Sequence, residues 1–392
     1  MIRSAIDYGR SFAFGLVDGP TRALFKAHLG PFQGHDIPER KTALRNAIGY
    51  LLRAQQQGSD AGMGSYHLLK GWGASYPETT GYAIPTLIRS GEHLGWHVPV
   101  EAALRAAEWL LSIQRADGGW PGGRVGEARP SIVFNTAQVI RGLLAAHALS
   151  KDARFIVAAL RAGRWIAGVQ DPDGAWREHN FLGVARVYDT YVDAPLLHLF
   201  AITGDGVLKA AAEKNLQWVL AQRRPNGWFA NCDNTIRHND RPITHTIAYT
   251  LDGLHECAIR LNDDTLMQAV TNGADVLLHK FMDHGELNGR YDEDWRGTEH
   301  PLMTGCAQLA IIWSKLHDHT GSAIHRDGLL RMTDRLMGVQ QASMLGPEAM
   351  HGALPGSYPV WGRYEKFAFP NWGTKYFADA LLCAERCAAL VK

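Results

Sequence analysis

A phrase that recurs along the chain constrains its fold more than any other feature. A helix-like segment ends in glutamine, a glycine turn follows, and tryptophan comes next, as in residues 109–120 (WLLSIQRADGGW), 165–176 (WIAGVQDPDGAW) and 218–229 (WVLAQRRPNGWF). Fainter copies at 50–64, 277–291 and 335–345 complete a set of six. The corresponding positions, 52 to 59 residues apart, are Gln55, Gln114, Gln170, Gln222, Phe281 and Gln340. A period of this length predicts two helices with their loops in each unit.

The segments after each turn repeat as well. Aligning their starts places one polar residue of each unit in register: Glu78, Asn135, Asp189, His245, Thr304 and Asn371. Several of these residue types cap helix N-termini well, and capping is the simplest interpretation of their recurrence. The helices that follow them are apolar on nearly all faces, which is typical of buried helices, whereas the helices before each turn carry a polar stripe.

Six buried helices and six amphipathic ones predict an all-α fold. We expect an (α/α)6 toroid, a double ring of six inner and six outer helices with short hairpin-like loops at one end. Residues 40–392 should form this domain, and residues 1–39 should be an N-terminal extension that packs on or near it. Because the inner helices all run in the same direction, their N-termini and the preceding loops should share one end of the toroid.

The charge and cysteine content of the chain exclude several classes of protein. Its 392 residues include 40 Lys and Arg against 39 Asp and Glu, so no global basic field indicates a nucleic-acid partner. Five cysteines without a CxxC pair argue against a disulfide framework and a structural zinc site, and we predict neither a metal nor a cofactor. We find no secretory signal and no transmembrane segment, and we expect a cytoplasmic protein. A homo-oligomer is compatible with the sequence.

The glutamine and tryptophan repeats resemble the QW motif of the prenyltransferase and squalene-cyclase superfamily. The resemblance is carried by Gln114, Gly118 and Trp120 and by the same pattern at 170–176, and it extends over about residues 40–390. It implies a toroid in which these glutamines and tryptophans are structural braces. The cyclases' DxDD acid motif and the zinc-binding Asp-x-Cys of protein prenyltransferases are both absent. The same toroid also resembles the catalytic domains of polysaccharide lyases, unsaturated-uronyl hydrolases and sugar epimerases.

The loops before the inner helices are rich in arginine, tryptophan and tyrosine. Arginine binds carboxylates through a bidentate fork, and aromatic rings can stack on the apolar faces of sugars. This composition predicts a binding site for an acidic glycan, although arginines on loops can also simply pair with neighbouring carboxylates. The predicted substrate-binding residues are Asn135, Arg186, Arg241, Arg296, Trp72, Tyr76, Trp361, Asn371 and Trp372.

The predicted catalytic residues stand in the same loops and at the starts of the inner helices. They are His245, Tyr188, Tyr249, Glu78 and Asp189. For β-elimination or epimerisation of a uronate, a histidine or tyrosine would remove the C5 proton. For hydrolysis, Glu78 would pair with Asp189 or Asp193. Structural roles are the alternative, because a carboxylate is favoured in the first turn of a helix and a histidine often makes only structural hydrogen bonds.

Three functions are therefore compatible with the sequence. The first is a carbohydrate-active enzyme of bacterial polysaccharide metabolism, which acts on a uronate-containing poly- or oligosaccharide by elimination, epimerisation or hydrolysis. The second is a terpenoid cyclase or prenyltransferase-like enzyme of the squalene-cyclase superfamily. The third is a non-catalytic toroid that binds a glycan or a protein. We favour the first, because the arginine-rich loops suit an acidic sugar and the cyclase acid motif is absent.

Overall fold

The computed structural model describes residues 18–29, 37–236 and 240–389, which are mostly helical. The inner helices are α3 (Pro77–Leu94), α5 (Val133–Ser150), α7 (Thr190–Thr203), α9 (Thr244–Leu261), α11 (Met303–Thr320) and α13 (Asn371–Ala389). The outer helices are α2 (Arg40–Gln56), α4 (His97–Ser112), α6 (Ala153–Gly168), α8 (Gly206–Leu220), α10 (Asp264–His284) and α12 (Ala323–Ser343). A further helix, α1 (Gly19–Leu29), precedes them. Short strands lie in the loops: β1 (Tyr66–His67), β2 (Gly71–Trp72), β3 (Arg290–Tyr291), β4 (Gly297–Thr298) and β5 (Ala368–Phe369).

The inner helices form a closed ring. Each of them packs against the next in chain order, and α13 packs against α3 to complete the circle. Their side chains are buried on almost every face, whereas those of the outer helices are buried on one side. The predicted all-α (α/α)6 toroid is confirmed. The inner helices are apolar on nearly all faces because they pack against each other and against the outer helices. The outer helices are amphipathic because only one of their sides is buried.

Very short connections join each inner helix to the following outer helix. Each consists of a residue in the left-handed conformation and the N-cap of the outer helix, as in Gly204 and Asp205, where Asp205 accepts a hydrogen bond from the Val207 amide. A residue in the left-handed conformation ends the inner helix sharply, and in this example Asp205 caps the outer helix that follows. The five connections therefore lie at one end, and the long loops lie at the other with the inner-helix N-termini.

The repeated glutamines bridge neighbouring units. The Nε2 atom of Gln114 donates to the carbonyl of Gly118 in its own turn and to that of Ala158 in the next outer helix. Gln55 and Gln170 make the same pair of bonds with their own loops and next outer helices. Gln340 closes the ring, because it donates to Gly352 and to Ala43 in the first outer helix.

We expect Gln340→Ala to lower the free energy of unfolding by about 2 to 4 kcal/mol, because two buried carbonyl oxygens lose their donor. Gln222 is the matched control: it follows an outer helix in the same way, but its Nε2 donates only to Trp218 of its own unit, and its Oε1 accepts an exposed bond from Asn231. Gln222→Ala should cost about 1 kcal/mol or less. Urea unfolding followed by circular dichroism measures both, and equal losses would contradict a bridging role.

The structure corrects the expectation that polar side chains cap the inner helices. The N-cap residues of α3, α5 and α9 are Tyr76, Ile132 and Ile243, and no cap side chain bonds the first turn. Asp189 does occupy the N-cap position of α7, but without a capping hydrogen bond. Carbonyl groups of the following loops replace the caps.

The main-chain bonds between loops and helix starts repeat around the toroid. The first amide of α5 donates to the carbonyl of His179, that of α9 to Gly289, and that of α11 to Gly356. Each of these loops therefore covers the start of the preceding inner helix. The polar side chains near these starts are therefore not needed as helix caps.

The N-terminal helix α1 packs on the loop end of the last unit. Leu24 is buried, Phe25 stacks on Trp361, and the Tyr358 hydroxyl donates to the carbonyl of Ala27. The rest of the predicted extension, residues 1–17 and 30–36, lies outside the described residues. Across the described ranges, none of the helices combines the length and the apolar character needed to span a bilayer.

Candidate active site

A cavity of about 840 Å³ opens at the loop end of the toroid, above the N-termini of the inner helices. Its floor is built by the first turns of four inner helices, through Glu78 and Tyr82 of α3, Phe134 and Asn135 of α5, His245 and Tyr249 of α9, and Trp372 of α13. Its walls are the loops that follow the outer helices. This size is typical of ligand-binding clefts.

Glu78 is the buried acid of the floor. Pro77 begins α3 and places Glu78 in its first turn. Burial raises the pKa of Glu78 to about 7, although a hydrogen bond with the Tyr76 side chain acts in the opposite direction. The amide of Asn135 in turn donates to the Tyr76 hydroxyl oxygen over 3.2 Å. Asn135 and Tyr76 therefore orient a carboxyl group that can give or take a proton near neutral pH.

Four more phenols surround Glu78. Burial raises the pKa of Tyr82, Tyr188, Tyr249 and Tyr364 above the usual value, and the nearby Glu78 charge raises each further. The hydroxyl groups are therefore protonated at neutral pH and can donate protons or hydrogen bonds. They are poorly suited to act as bases without a further group to accept their protons.

His245 is fixed in its neutral form. Its ring lies 4.3 Å from that of Tyr249, between centroids, and its Nδ1 lies 2.6 Å from the Oε1 of Gln308. Because a side-chain amide oxygen only accepts, Nδ1 carries the proton and Nε2 is an acceptor. Burial lowers the pKa of His245 to about 4. His245 is therefore a weak base with a set orientation.

Four arginines line the mouth of the cavity, and one differs from the others. Arg129 pairs with Glu127, while Arg290 and Arg363 both pair with Glu299. The Arg124 guanidinium has no hydrogen bond or ion pair with any residue of the described ranges. Its charge lowers the pKa of Glu365 and Tyr76, which places it on the same side of the cavity. A guanidinium available at the mouth can bind an anionic ligand.

Glu365 is a second carboxyl group of the cavity. Burial raises its pKa, and Arg124 and Lys70 act in the opposite direction. Its backbone has a φ of 44°, in the left-handed region, where a residue other than glycine is strained. A Cβ atom on Gly356 would lie 2.5 Å from that of Glu365, so the glycine permits this close packing. Strain of this kind often accompanies functional sites.

The structure brings seven of the predicted site residues together at the cavity. They are Tyr76, Glu78, Asn135, Tyr188, His245, Tyr249 and Trp372. Asp189 is fully buried beneath the wall, where its Oδ2 accepts from Asn180 and its pKa is raised by burial to about 8. Arg186 is also buried, and its guanidinium donates to the carbonyl of Ile236. Asp189 and Arg186 therefore act on the cavity only through the residues that they support.

Five other predicted residues lie away from the main cavity. Arg241 lines an adjoining cavity. The exposed Arg296 pairs with Asp294 and lines neither cavity. Trp72 stacks on Tyr50, and Trp361 stacks on Phe25 of α1. The Asn371 amide donates to the carbonyls of Met63 and Gly64, so it braces a loop.

The cavity also contains residues outside the predicted catalytic and substrate-binding sets. They are Tyr82, Arg124, Tyr364 and Glu365. One signal was present: Tyr82 follows Glu78 by four residues, as Tyr249 follows His245, and this spacing puts both members of a pair on one helix face. Tyr364 and Glu365 stand in the long last loop, where no repeat guides an assignment. Within the described residues, no group of three or more His, Cys, Asp or Glu side chains could hold a metal ion.

The sequence and the fold of this chain are similar to different groups of known proteins. Residues 11–184 match the squalene-hopene cyclase C-terminal domain family. A curated relative, the probable squalene-hopene cyclase of Sinorhizobium fredii (strain NBRC 101917 / NGR234), is 28% identical over 185 residues. This match covers 44% of the chain and 26% of the relative, so it spans only about a quarter of the length of that cyclase.

Solved structures similar to the whole toroid include proteins described as sugar-processing enzymes. The unsaturated glucuronyl hydrolase of Bacillus sp. GL1, described as responsible for the degradation of glycosaminoglycan, is 16% identical with a TM-score of 0.68 and covers 88% of this chain and 97% of its own. Cellobiose 2-epimerase of Spirochaeta thermophila DSM 6192 is 13% identical, also with a TM-score of 0.68, and covers 90% and 97%. At these identities the likeness concerns the fold alone. In the sequence of residues 11–184, the chain thus resembles the squalene-hopene cyclase C-terminal domain. In its fold, it resembles the glucuronyl hydrolase and epimerase toroids.

Proposed function

We propose that this protein is an enzyme that acts on a uronate-containing oligo- or polysaccharide. The observation that carries the proposal is the Arg124 guanidinium, which has no hydrogen bond or ion pair among the described residues and lies at the mouth of a cavity whose floor holds Glu78. Arg124 binds the sugar carboxylate, and the aromatic floor packs against the sugar ring. The likeness of the fold to a glucuronyl hydrolase and a cellobiose epimerase supports a sugar substrate.

Proton transfer by Glu78 is the proposed chemical step. With a pKa of about 7, ionised Glu78 takes the C5 proton, which lies next to the uronate carboxylate bound by Arg124. In elimination, the electrons of the C5–H bond form a C4–C5 double bond, the C4–O bond breaks, and the leaving oxygen receives a proton from Tyr249 or Tyr364. In epimerisation, the carbanion is instead protonated at C5 from the opposite face.

Hydrolysis requires a different pair of groups. Asp189 and Asp193, the expected partners of Glu78, are fully buried and do not line the cavity. Three other glutamates line the cavity with Glu78, and two of them, Glu127 and Glu299, pair with arginines. Glu365 therefore takes that role if the bond is hydrolysed. We rank elimination and epimerisation first, because the phenols around Glu78 supply proton donors for both.

The proposal is tested by Arg124→Ala on two matched substrates. The KM for a uronate oligosaccharide should rise by about tenfold or more, because a charge-assisted contact is lost. The KM for the same oligosaccharide with its carboxyl groups reduced to alcohols should not change. Arg129→Ala is the control, since Arg129 lines the same mouth but pairs with Glu127. Equal effects of Arg124→Ala on both substrates would contradict carboxylate recognition.

His245 is proposed to hold the substrate through Nε2. We expect His245→Asn to lower kcat by about a hundredfold, because asparagine retains a donor toward Gln308 but lacks the Nε2 acceptor. His245→Ala is less informative, because His245 is only 5% exposed and its loss would leave Gln308 without this partner. Steady-state kinetics of His245→Asn measure kcat, and its melting temperature reports whether the variant is folded. Undiminished kcat in a folded variant would remove His245 from the mechanism.

A terpenoid cyclase is the second candidate. It is favoured by the family match over residues 11–184 and by an acid with a raised pKa on an aromatic floor. The charged mouth is less suited to a hydrocarbon than to an acidic sugar. Conversion of a polyprenyl substrate, together with no reaction on any glycan, would decide for the cyclase.

We also propose a reducing, cytoplasmic location, which is supported by five free cysteines, four of them buried. Homo-oligomerisation stays a prediction.

A further inference from the structure

A second cavity, of about 900 Å³, adjoins the first. The two share the lining residues Thr235, Ile236, Arg290, Glu299 and Arg363. The second cavity adds Arg241, Thr298 and His300. The two cavities therefore adjoin at these five residues, and Glu78 lines only the first.

The shared wall is a network of charged side chains. Arg290 contacts the carboxylate of Glu299 over 3.3 Å, and Arg363 contacts the same carboxylate over 3.1 Å. Arg290 also donates to the Arg241 carbonyl and to Asp233. These contacts hold Arg290 and Arg363 at the boundary between the two cavities.

A tightly built hairpin supports this wall. Strands β3 and β4 pair so that Arg290 lies opposite Thr298. A Cβ atom on Gly289 would lie 2.4 Å from the His300 carbonyl oxygen, and one on Gly297 would lie 2.0 Å from the side chain of Asn288. Only glycine fits at these two positions. The hairpin therefore presents Thr298 and His300 to the second cavity from a closely packed backbone.

The lining of the second cavity is positively charged. Among the described residues, it contains three guanidinium groups, of Arg241, Arg290 and Arg363, and one carboxylate, of Glu299. The other carboxylates that these arginines contact, Asp233 and Asp292, do not line the cavity, and the Asp233 side chain is fully buried. An anion that enters the second cavity therefore meets the three guanidinium groups directly, whereas two of the three carboxylates that balance them lie outside the lining.

We propose that the second cavity is a binding subsite for a further acidic sugar residue of the chain whose uronate lies at Glu78. This inference rests on the proposed function and deepens it: the substrate is an anionic oligo- or polysaccharide rather than a mono- or disaccharide. The polymer runs from the main cavity over Arg290 and Arg363, and Arg241 contacts the anionic group of the distal sugar. Affinity should therefore increase with chain length.

Arg241→Glu tests the subsite, with Arg296→Glu as the matched control. Both arginines are exposed, and each contacts a carboxylate of the 292–296 segment. The two substitutions change the charge of the protein by the same amount. They differ in position, because Arg296 lines neither cavity. The probes are size-fractionated di- and hexasaccharides of polygalacturonate and hyaluronan, with Kd measured by isothermal titration calorimetry on the full-length chain. Melting temperatures report whether both variants are folded.

In the wild type, the hexasaccharide of at least one polymer should bind about tenfold or more tightly than its disaccharide. Arg241→Glu should remove this advantage while changing the disaccharide Kd by less than about twofold, and Arg296→Glu should preserve it. Equal Kd values for both lengths in the wild type, or an equal loss in both variants, would overturn the subsite and leave the proposed function intact. Failure of every uronate oligosaccharide to bind would instead overturn the proposed function and the subsite with it.

Discussion

Replacing Glu78 with glutamine should abolish turnover and at the same time stabilise the protein above pH 7. Turnover should fall by about a thousandfold or more, because glutamine cannot accept or release a proton and Glu78 is the proposed proton-transfer group. The side chain remains isosteric and the Tyr76 hydroxyl retains an acceptor. A loss of this size with an unchanged fold would place Glu78 at the centre of the chemistry.

The gain in stability follows from the raised pKa of Glu78. In the unfolded chain, the carboxyl group ionises near its ordinary pKa of 4.5, whereas in the folded protein it keeps its proton up to about pH 7. Below pH 4.5 both states are protonated, so this group has no effect on stability. As the pH rises from 4.5 to 7, the folded state loses roughly 3 kcal/mol of stability relative to the unfolded state, and above pH 7 this penalty is constant. Glu78→Gln removes this penalty.

Thermal unfolding of the wild type and Glu78→Gln at pH 4 and pH 8 measures the effect, with stabilisation expected at pH 8. Asp193→Asn is the matched control, because Asp193 is fully buried, its pKa is well raised by burial, and it does not line the cavity. It should also gain stability at pH 8, with turnover within about threefold of the wild type. Normal turnover in Glu78→Gln would contradict the proposed mechanism.

The pH profile of the wild type reports the protonation state that Glu78 needs. If Glu78 acts as the base, as we propose, kcat/KM should fall as the pH drops below about 7, the pKa of Glu78. A fall above pH 7 would instead indicate that Glu78 acts as an acid, as in hydrolysis.

Trp120→Ala should be the most destabilising single change in the repeat. Trp120 is 0% exposed, and its Nε1 donates to the Leu110 carbonyl at the end of the preceding outer helix. Its main-chain amide donates to Thr136 in α5. Trp120 therefore joins an outer helix, through its indole, to an inner helix, through its main-chain amide. Loss of a buried tryptophan typically lowers the free energy of unfolding by about 3 to 5 kcal/mol, a large part of the total for most proteins.

Trp120→Phe separates the hydrogen bond from the packing. It should cost about 1 to 3 kcal/mol, because the Leu110 carbonyl loses its donor while much of the ring volume remains. Chemical denaturation of both variants measures the difference. Trp120 does not line the cavity, so any folded fraction should keep its kcat. A cost below about 1 kcal/mol for Trp120→Ala would contradict the bracing role that the repeat predicts.

The fold could be predicted because its determinants are local and repeated. Gln114 and Gln170 recur with the same turn, and the structure gives them the same two partners. The exact starts of the inner helices were harder to predict. The second residues of α5 and α13 are Phe134 and Trp372, one position away from the polar residues used for the alignment. Those aromatic residues line the cavity, so alignment on polarity shifted the register.

The site could be predicted only in part, because burial by the loops decides which polar residues reach the cavity. Asp189 and Arg186 stand beside Tyr188 in the sequence, yet both are buried in contacts with the protein while Tyr188 lines the cavity. Asn371 likewise braces the loop at Met63, far away in the chain. Contacts between distant segments leave no local pattern. For the same reason, the unpaired state of Arg124 is visible only in three dimensions.

The central claim, that Glu78 transfers a proton of a uronate sugar, is tested most directly by proton NMR in deuterated water. Purified protein is incubated with hyaluronan, heparosan, alginate and polygalacturonate, each beside the Glu78→Gln variant. With at least one polymer, we expect the wild type to exchange the C5 proton for deuterium or to form a C4–C5 double bond, and the variant to do neither. Unchanged spectra for all four polymers, or the same product from wild type and variant, would contradict the claim.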